Sequence, residues 1–192
     1  MQKVRIVTAL GDIVVRLDDK KAPLTCEHFL RYVREEYYDG AYFYRAAVSD
    51  KNQPYNQYQI DLIEAGYASD CYSEFLRGNL APEPPLDISR CRSGPYAQIM
   101  VETTEETGLK HDDGVISMVR TTSSSVDDNF FICLGEQPEL NCGGRRNADG
   151  YGFPAFGCVI EGMEIVRAIH KQSLDGQRLT EDVPIFSIRI EP

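Results

Sequence analysis

The residues best suited to chemistry lie in the run Asp128-Asn-Phe-Phe-Ile132. Its aromatic and β-branched content reads as a strand. Neighbouring side chains of a strand point to opposite faces, so Asn129 and Phe131 share one face and Phe130 takes the other. An amide beside an aromatic ring is the chemistry of a peptide-binding slot: the amide bonds a backbone and the ring offers an apolar floor. Two ordinary core phenylalanines would give the same pattern, and the run by itself leaves both readings open. Metal and nucleotide chemistry find less support. The six cysteines, Cys26, Cys71, Cys91, Cys133, Cys142 and Cys158, include no Cys-x-x-Cys, and the three histidines are far apart, so no metal site is expected. Gly143-Gly144 matches no phosphate-binding pattern and precedes no helix, so no cofactor is expected either.

These residues must be held by the stretch from Gly114 to Leu140. Val115 and Ile116 begin one apolar run, Phe130 to Leu134 forms another, and Ser, Thr and Asp residues lie between them, which predicts two paired strands. Upstream, Val4 to Thr8 and Ile13 to Leu17 flank Leu10-Gly11-Asp12 as a hairpin. Pro23 opens a helix, and Cys26, Phe29, Leu30 and Val33 give it one apolar face. Tyr42 to Arg45 starts a further strand. A polar loop over 50–59 precedes another that begins at Ile60. Across 67–98, Pro82, Pro84, Pro85 and Pro95 argue against a continuous helix or central strand, leaving an elaborated loop with a helical turn at Ser73 to Leu76. That loop reads either as a tolerated surface insertion or as a wall added to a substrate groove. Gln98 to Val101 regains strand character, and a glycine-rich loop runs from Gly135 to Gly152. Phe156 to Ile160 is a strand, Met163, Val166 and Ile169 mark a second helix, and Ile185 to Glu191 alternates as a last strand. About eight strands with two helices favour a mainly β protein, a closed antiparallel barrel or sandwich, over a parallel sheet.

The 192 residues, 42% of them hydrophobic, suit a single domain over 1–192. No run approaches the roughly 18 apolar residues of a membrane-spanning helix. A formal charge of -10 makes nucleic acid and anionic lipid poor partners. Met1-Gln-Lys-Val-Arg-Ile-Val7 has no signal-type apolar core, which favours a cytoplasmic location, with a periplasmic one open if a leader has been removed. Cys26, Cys133 and Cys158 sit in apolar patterns and are expected to be small buried hydrophobes. Cys71 and Cys91 bracket the long loop, and the sequence leaves open whether they pair in an oxidising compartment or stay free thiols.

The central stretch resembles the cyclophilins, the peptidyl-prolyl cis-trans isomerases, as a divergent, bacterial-like member. Gly114-Val-Ile-Ser-Met118 and Asp128-Asn-Phe-Phe-Ile132 match the family signature Gly-x-x-Ser-Met, loop, Ser-Gln-Phe-Phe-Ile. Leu109-Lys110-His111, Ala155 to Met163 and Ala41-Tyr-Phe-Tyr-Arg45 resemble further blocks in family order. The resemblance implies an eight-stranded antiparallel β-barrel capped by two helices. It also implies a cofactor-free enzyme that rotates X-Pro peptide bonds in polypeptides and assists folding; a monomer is expected. Arg45 then takes the role of the active cation, and Phe131 the floor of the proline slot between Leu62 and Leu140. Asn129 stands for a glutamine that contacts substrate backbone, Val119 for a small residue, Arg120 for a backbone-binding asparagine and Phe153 for a common histidine. Glu64 replaces the glutamine of Gln-Gly-Gly, and Glu139 falls where some members carry the tryptophan needed for cyclosporin contact. Arg45 and Phe131 favour an active isomerase. Glu64, Arg120 and Phe153 favour the alternative, a proline-peptide binding module with little turnover.

Overall fold

A computed structural model describes residues 1–54, 56–78, 95–120 and 122–192, without the side chain of Cys71. The suggested Cys71–Cys91 pair therefore lies outside the described residues.

Strands β1 (Lys3–Thr8) and β2 (Gly11–Leu17) form the expected hairpin, with Val4 opposite Val15 and Ile6 opposite Ile13. Helix α1 (Pro23–Arg34) begins at Pro23 and buries Cys26, Phe29, Leu30 and Val33, the face its spacing predicts. Next come β3 (Tyr42–Ala47), β4 (Leu62–Gly66), α2 (Asp70–Leu76), α3 (Thr104–Thr107), β5 (Val115–Arg120) and β6 (Val126–Cys133). Then follow β7 (Ala155–Glu161), α4 (Met163–His170), β8 (Leu174–Asp175) and β9 (Arg178–Glu191).

The strands run β1-β2-β7-β5-β6-β4-β3-β9, and β9 returns to β1, which closes an eight-stranded antiparallel barrel. The short β8 is an extra strand on β9. Closure leaves the eight barrel strands without an unpaired edge. Inside, Phe29 of α1 meets Phe130, Phe156 and Tyr38 at centroid distances of 5.6, 5.2 and 5.5 Å, joining helix to barrel through aromatic contacts.

The differences from the sequence reading have local causes. Strand β4 begins at Leu62 rather than Ile60, because the Gln53 side chain occupies the Ile60 backbone: its amide donates to Ile60 O at 2.7 Å and its oxygen accepts from Ile60 N at 3.3 Å. Among the described residues Gln98 to Val101 joins no strand ladder: it makes the isolated bridge Ile99–Val126 and a backbone bond from Val101 N to Ser123 O at 2.9 Å, with Met100 55% exposed. Helix α3 follows a reciprocal cap in which Thr103 and Glu106 satisfy each other's backbone N–H, a Thr-x-x-Glu pattern present in the sequence. Strand β9 starts at Arg178, not Ile185, and passes through Pro184, whose carbonyl accepts from Ala9 N at 3.1 Å. Its first part pairs with β3 and its second with β1. Cys26 and Cys133 are buried as expected, and burial pushes the Cys26 thiol up to about 12; Cys158 is only half-buried, beside Arg16.

Candidate active site

Strand register assembles the site. Arg45 on β3 lies opposite Glu64 on β4, Glu64 opposite Phe131 on β6, and Phe131 opposite Ser117 on β5. Directly opposed residues share a face. This row faces away from the barrel interior, whereas Ala65, Phe130 and Met118 join the main core. The two phenylalanines are thus both buried but belong to different clusters.

Phe131 packs with Ala47, Ile60, Leu62, Cys133 and Leu140, and the half-buried Val119 and Phe153 lean on the group. Phe153 meets Phe131 edge-on at 5.5 Å. On another side the ring of His111 stacks on Phe131 at 6.0 Å. Asn141 Oδ1 accepts from the His111 backbone N–H at 3.0 Å and faces Nδ1 at 2.9 Å, so Nδ1 carries the proton. Nε2 then accepts from the Ser117 hydroxyl at 3.2 Å. Burial pushes the His111 pKa down to about 4, against a smaller opposing effect of Asn141, so the ring backing Phe131 is neutral at pH 7. The result is an apolar cluster whose members come from β3, β4, β5, β6 and the 135–153 loop.

The polar end begins one register step away. Arg45 Nη1 donates to Glu64 Oε2 at 2.6 Å and to the Tyr72 hydroxyl at 3.2 Å; Nε and Nη2 donate to Gln177 Oε1 at 3.0 and 2.7 Å. The Arg45 side chain is 13% exposed and that of Glu64 1%. Burial works against the guanidinium charge, but the Tyr72 oxygen and the Glu64 carboxylate outweigh it, and the net shift is upward. Glu64 also accepts from the hydroxyls of Tyr44 and Tyr72. A fixed cation therefore stands beside an apolar cluster, with no nucleophile needed for the chemistry this allows.

The family description for cyclophilin type peptidyl-prolyl cis-trans isomerases matches residues 3–190. The chain belongs to that family. Its reaction is rotation about X-Pro peptide bonds, which assists protein folding, and cyclophilins bind proline-containing peptides. The family assignment does not favour a module without turnover. The chain is similar to peptidyl-prolyl cis-trans isomerase cyp18 of Streptomyces antibioticus, 30% identical over 192 residues that cover 100% of this chain and 96% of that protein. It is 27% identical to peptidyl-prolyl cis-trans isomerase B of Escherichia coli, over 94% of this chain and 92% of the relative. A crystal structure of a cyclophilin type isomerase from Cryptosporidium parvum superposes with a TM-score of 0.71 at 21% identity, covering 100% of this chain and 98% of that one. A second crystal structure of the latter was determined in the presence of the dipeptide Ala-Pro.

Several residues of this cyclophilin are engaged elsewhere than in the Phe131 cluster. Asn129 is fully buried; its amide donates to the Tyr44 hydroxyl at 3.0 Å and to Tyr67 O at 3.3 Å, and its oxygen accepts from Tyr67 N at 3.0 Å. Gly66, at φ 130°, permits this: a Cβ there would stand 1.9 Å from Asn129 Oδ1. The Arg120 guanidinium grips Asp149 through two bonds of 2.7 and 2.8 Å and donates to Gly152 O, 5.3 Å from the Phe153 ring centroid. It braces the loop that carries Phe153. Glu139 is paired with Arg145, so its charge does not stand alone.

Tyr72, Gln177, His111, Ile60 and Arg146 were not singled out as site residues from the sequence. The His111 block carried a family resemblance that pointed to it. Tyr72 and Gln177 carried no such sign: they lie in the 67–98 stretch and in the segment after α4, where no apolar period is readable.

Proposed function

We propose that Arg45 is the catalytic cation, and that Phe131, Leu62, Leu140, Val119 and Phe153 receive the proline ring. The X-Pro amide resists rotation because of its partial double bond, with a barrier of roughly 18–20 kcal/mol and spontaneous exchange over tens of seconds or more. Withdrawing the lone pair of the prolyl nitrogen from conjugation weakens that bond. A fixed guanidinium stabilises the twisted state electrostatically and needs no covalent step. The supporting observation is the immobilised Arg45 next to the Phe131 cluster. Four of its N–H groups are used by Glu64, Tyr72 and Gln177, and among the described residues the fifth, on Nη2, has no acceptor and is offered to substrate. In this reading Glu64 and Gln177 aim the cation, Arg120 positions Phe153, and Asn129 acts through Tyr44 and Tyr67. The substrates are flexible X-Pro segments of polypeptides, handled by a monomer without nucleic acid or membrane.

The test is cis–trans exchange in a proline tetrapeptide. The wild type accelerates it, and Arg45→Ala lowers kcat/KM on the order of 100-fold, the size seen when one preorganised donor is removed, with an unchanged circular dichroism spectrum. A wild-type rate equal to the uncatalysed one would refute turnover. An undiminished Arg45→Ala rate would remove Arg45 from the catalytic role.

A further inference from the structure

Arg146 takes no part in the mechanism above, yet it is built into the rim of the site. Its backbone N–H donates to Glu139 O at 3.2 Å, next to the wall residue Leu140. Its Nη1 crosses to the facing 50–60 loop and donates to Gln53 Oε1 at 3.0 Å and to Tyr58 O at 2.8 Å. Gln53 is the side chain that holds both backbone groups of Ile60, and Ile60 packs on the Phe131 cluster. Arg145, the preceding residue, lies over the ring of the same Tyr58, 4.3 Å from its centroid. The guanidinium of Arg146 is thereby fixed between the loops that carry Ile60 and Leu140, two members of the Phe131 cluster.

Its charge differs from that of the other arginines here. Arg45 has Glu64, Arg120 has Asp149 and Arg145 has Glu139. Arg146 has no carboxylate within 4.0 Å among the described residues; its acceptors are two neutral oxygens. Burial, and after it repulsion by Arg45, push its pKa down to about 10, with Tyr72 opposing, so it remains a cation at pH 7 but an unfavourably placed one. A half-buried cation without a counter-charge is held at a cost that a bound anion would relieve. Both Nη1 protons are used, while the Nε and Nη2 edge is assigned to no acceptor among the described residues. That edge is one that a carboxylate can bridge with two parallel bonds.

We infer that Arg146 is a specificity-determining residue that receives the carboxylate of an acidic side chain flanking the proline, so that X-Pro segments carrying Asp or Glu beside the proline are the preferred substrates. This rests on the proline-slot reading of the Phe131 cluster. The chain's net charge of -10 opposes an acidic ligand at long range, but salt screens that far field more than it screens a half-buried contact.

The test uses C-terminally amidated peptides with Glu, or its neutral isostere Gln, immediately before or immediately after the proline, at physiological salt. Exchange NMR gives kcat and KM for each. The Glu peptide at one of the two positions should exceed its Gln partner about ten-fold in kcat/KM, carried by KM, as a charge-assisted pair predicts. Arg146→Met should bring the Glu/Gln ratio to about one, and Arg146→Lys should keep part of it. A wild-type ratio of one at both positions, or a ratio that survives in Arg146→Met, overturns the inference. Should Arg146→Met not fold, the wild-type ratio and Arg146→Lys decide. Should no peptide be turned over, the isomerase reading fails, and the Glu/Gln affinity ratio from calorimetry still decides this one.

Discussion

The two ends of the site treat charge in opposite ways. At the polar end Arg45 keeps its charge, because Glu64 lies 2.6 Å away and Tyr72 and Gln177 fill most of its remaining donors. At the apolar end His111, 1% exposed, loses its charge to burial and lies against Phe131 as a neutral ring. Burial presses on both charges: it prevails at His111, where Asn141 opposes it only in part, and is outweighed at Arg45 by Glu64 and Tyr72. Asn141 and Ser117 suit the neutral imidazole, and a carboxylate suits the guanidinium. The strand register therefore places a fixed cation beside a dry apolar cluster, the pairing that twisting an X-Pro bond requires.

Phe131→Ala breaks the apolar end most severely. It should cost about 3–5 kcal/mol of stability, as large-to-small changes at buried aromatics do, and raise KM for proline peptides in the fraction that remains folded. Denaturant titration and exchange kinetics measure the two effects separately. A loss of stability with KM untouched would make Phe131 a core residue alone.

The second effect is the pH response of His111. Its folded pKa, about 4, lies below the ordinary 6.5. The unfolded chain thus binds the extra proton between those values. The stabilisation is fully present above about pH 6.5 and is lost as pH falls to about 4, on the order of 3 kcal/mol at most. Urea midpoints of the wild type should fall across this window, and His111→Gln should show a shallower fall. His28, also shifted down by burial, contributes to the slope in both proteins and cancels in the comparison. Parallel curves for the two proteins would mean that His111 takes up its proton as readily in the fold as in the unfolded chain.

Glu64→Gln acts on the other end and has the smallest effect. The carboxylate positions Arg45 and also cancels part of its field. Arg45 is already held by Tyr72 and by two bonds to Gln177, so positioning survives the change and the field at the prolyl nitrogen rises. An increase in kcat/KM of about ten-fold, equivalent to about 1.4 kcal/mol, is expected from steady-state exchange rates. A decrease would show that the carboxylate is a working part of this site.

The sequence alone determined the features that depend on local period. Alternation along Asp128 to Ile132 separated Phe130 from Phe131, and the structure puts them in different clusters. The i, i+3, i+4, i+7 spacing named the buried face of α1, and Leu10-Gly11-Asp12 marked the hairpin. The ordered blocks pointed to the barrel and its family, and Arg45 and Glu64 followed by resemblance. Tertiary structure decided how these residues are held. Tyr72 reaches Arg45 from 27 positions along the chain and Gln177 from 132, and neither sits in a patterned segment. Arg120 was placed by resemblance near substrate, yet its guanidinium is held by Asp149, 29 residues further on. Side-chain direction follows from a strand's period, but a side chain's partner follows from register and loop closure, which join distant segments. No local pattern records which loop arrives opposite a given strand, and so Arg146 meeting Gln53 across 93 residues became visible only once the barrel had closed.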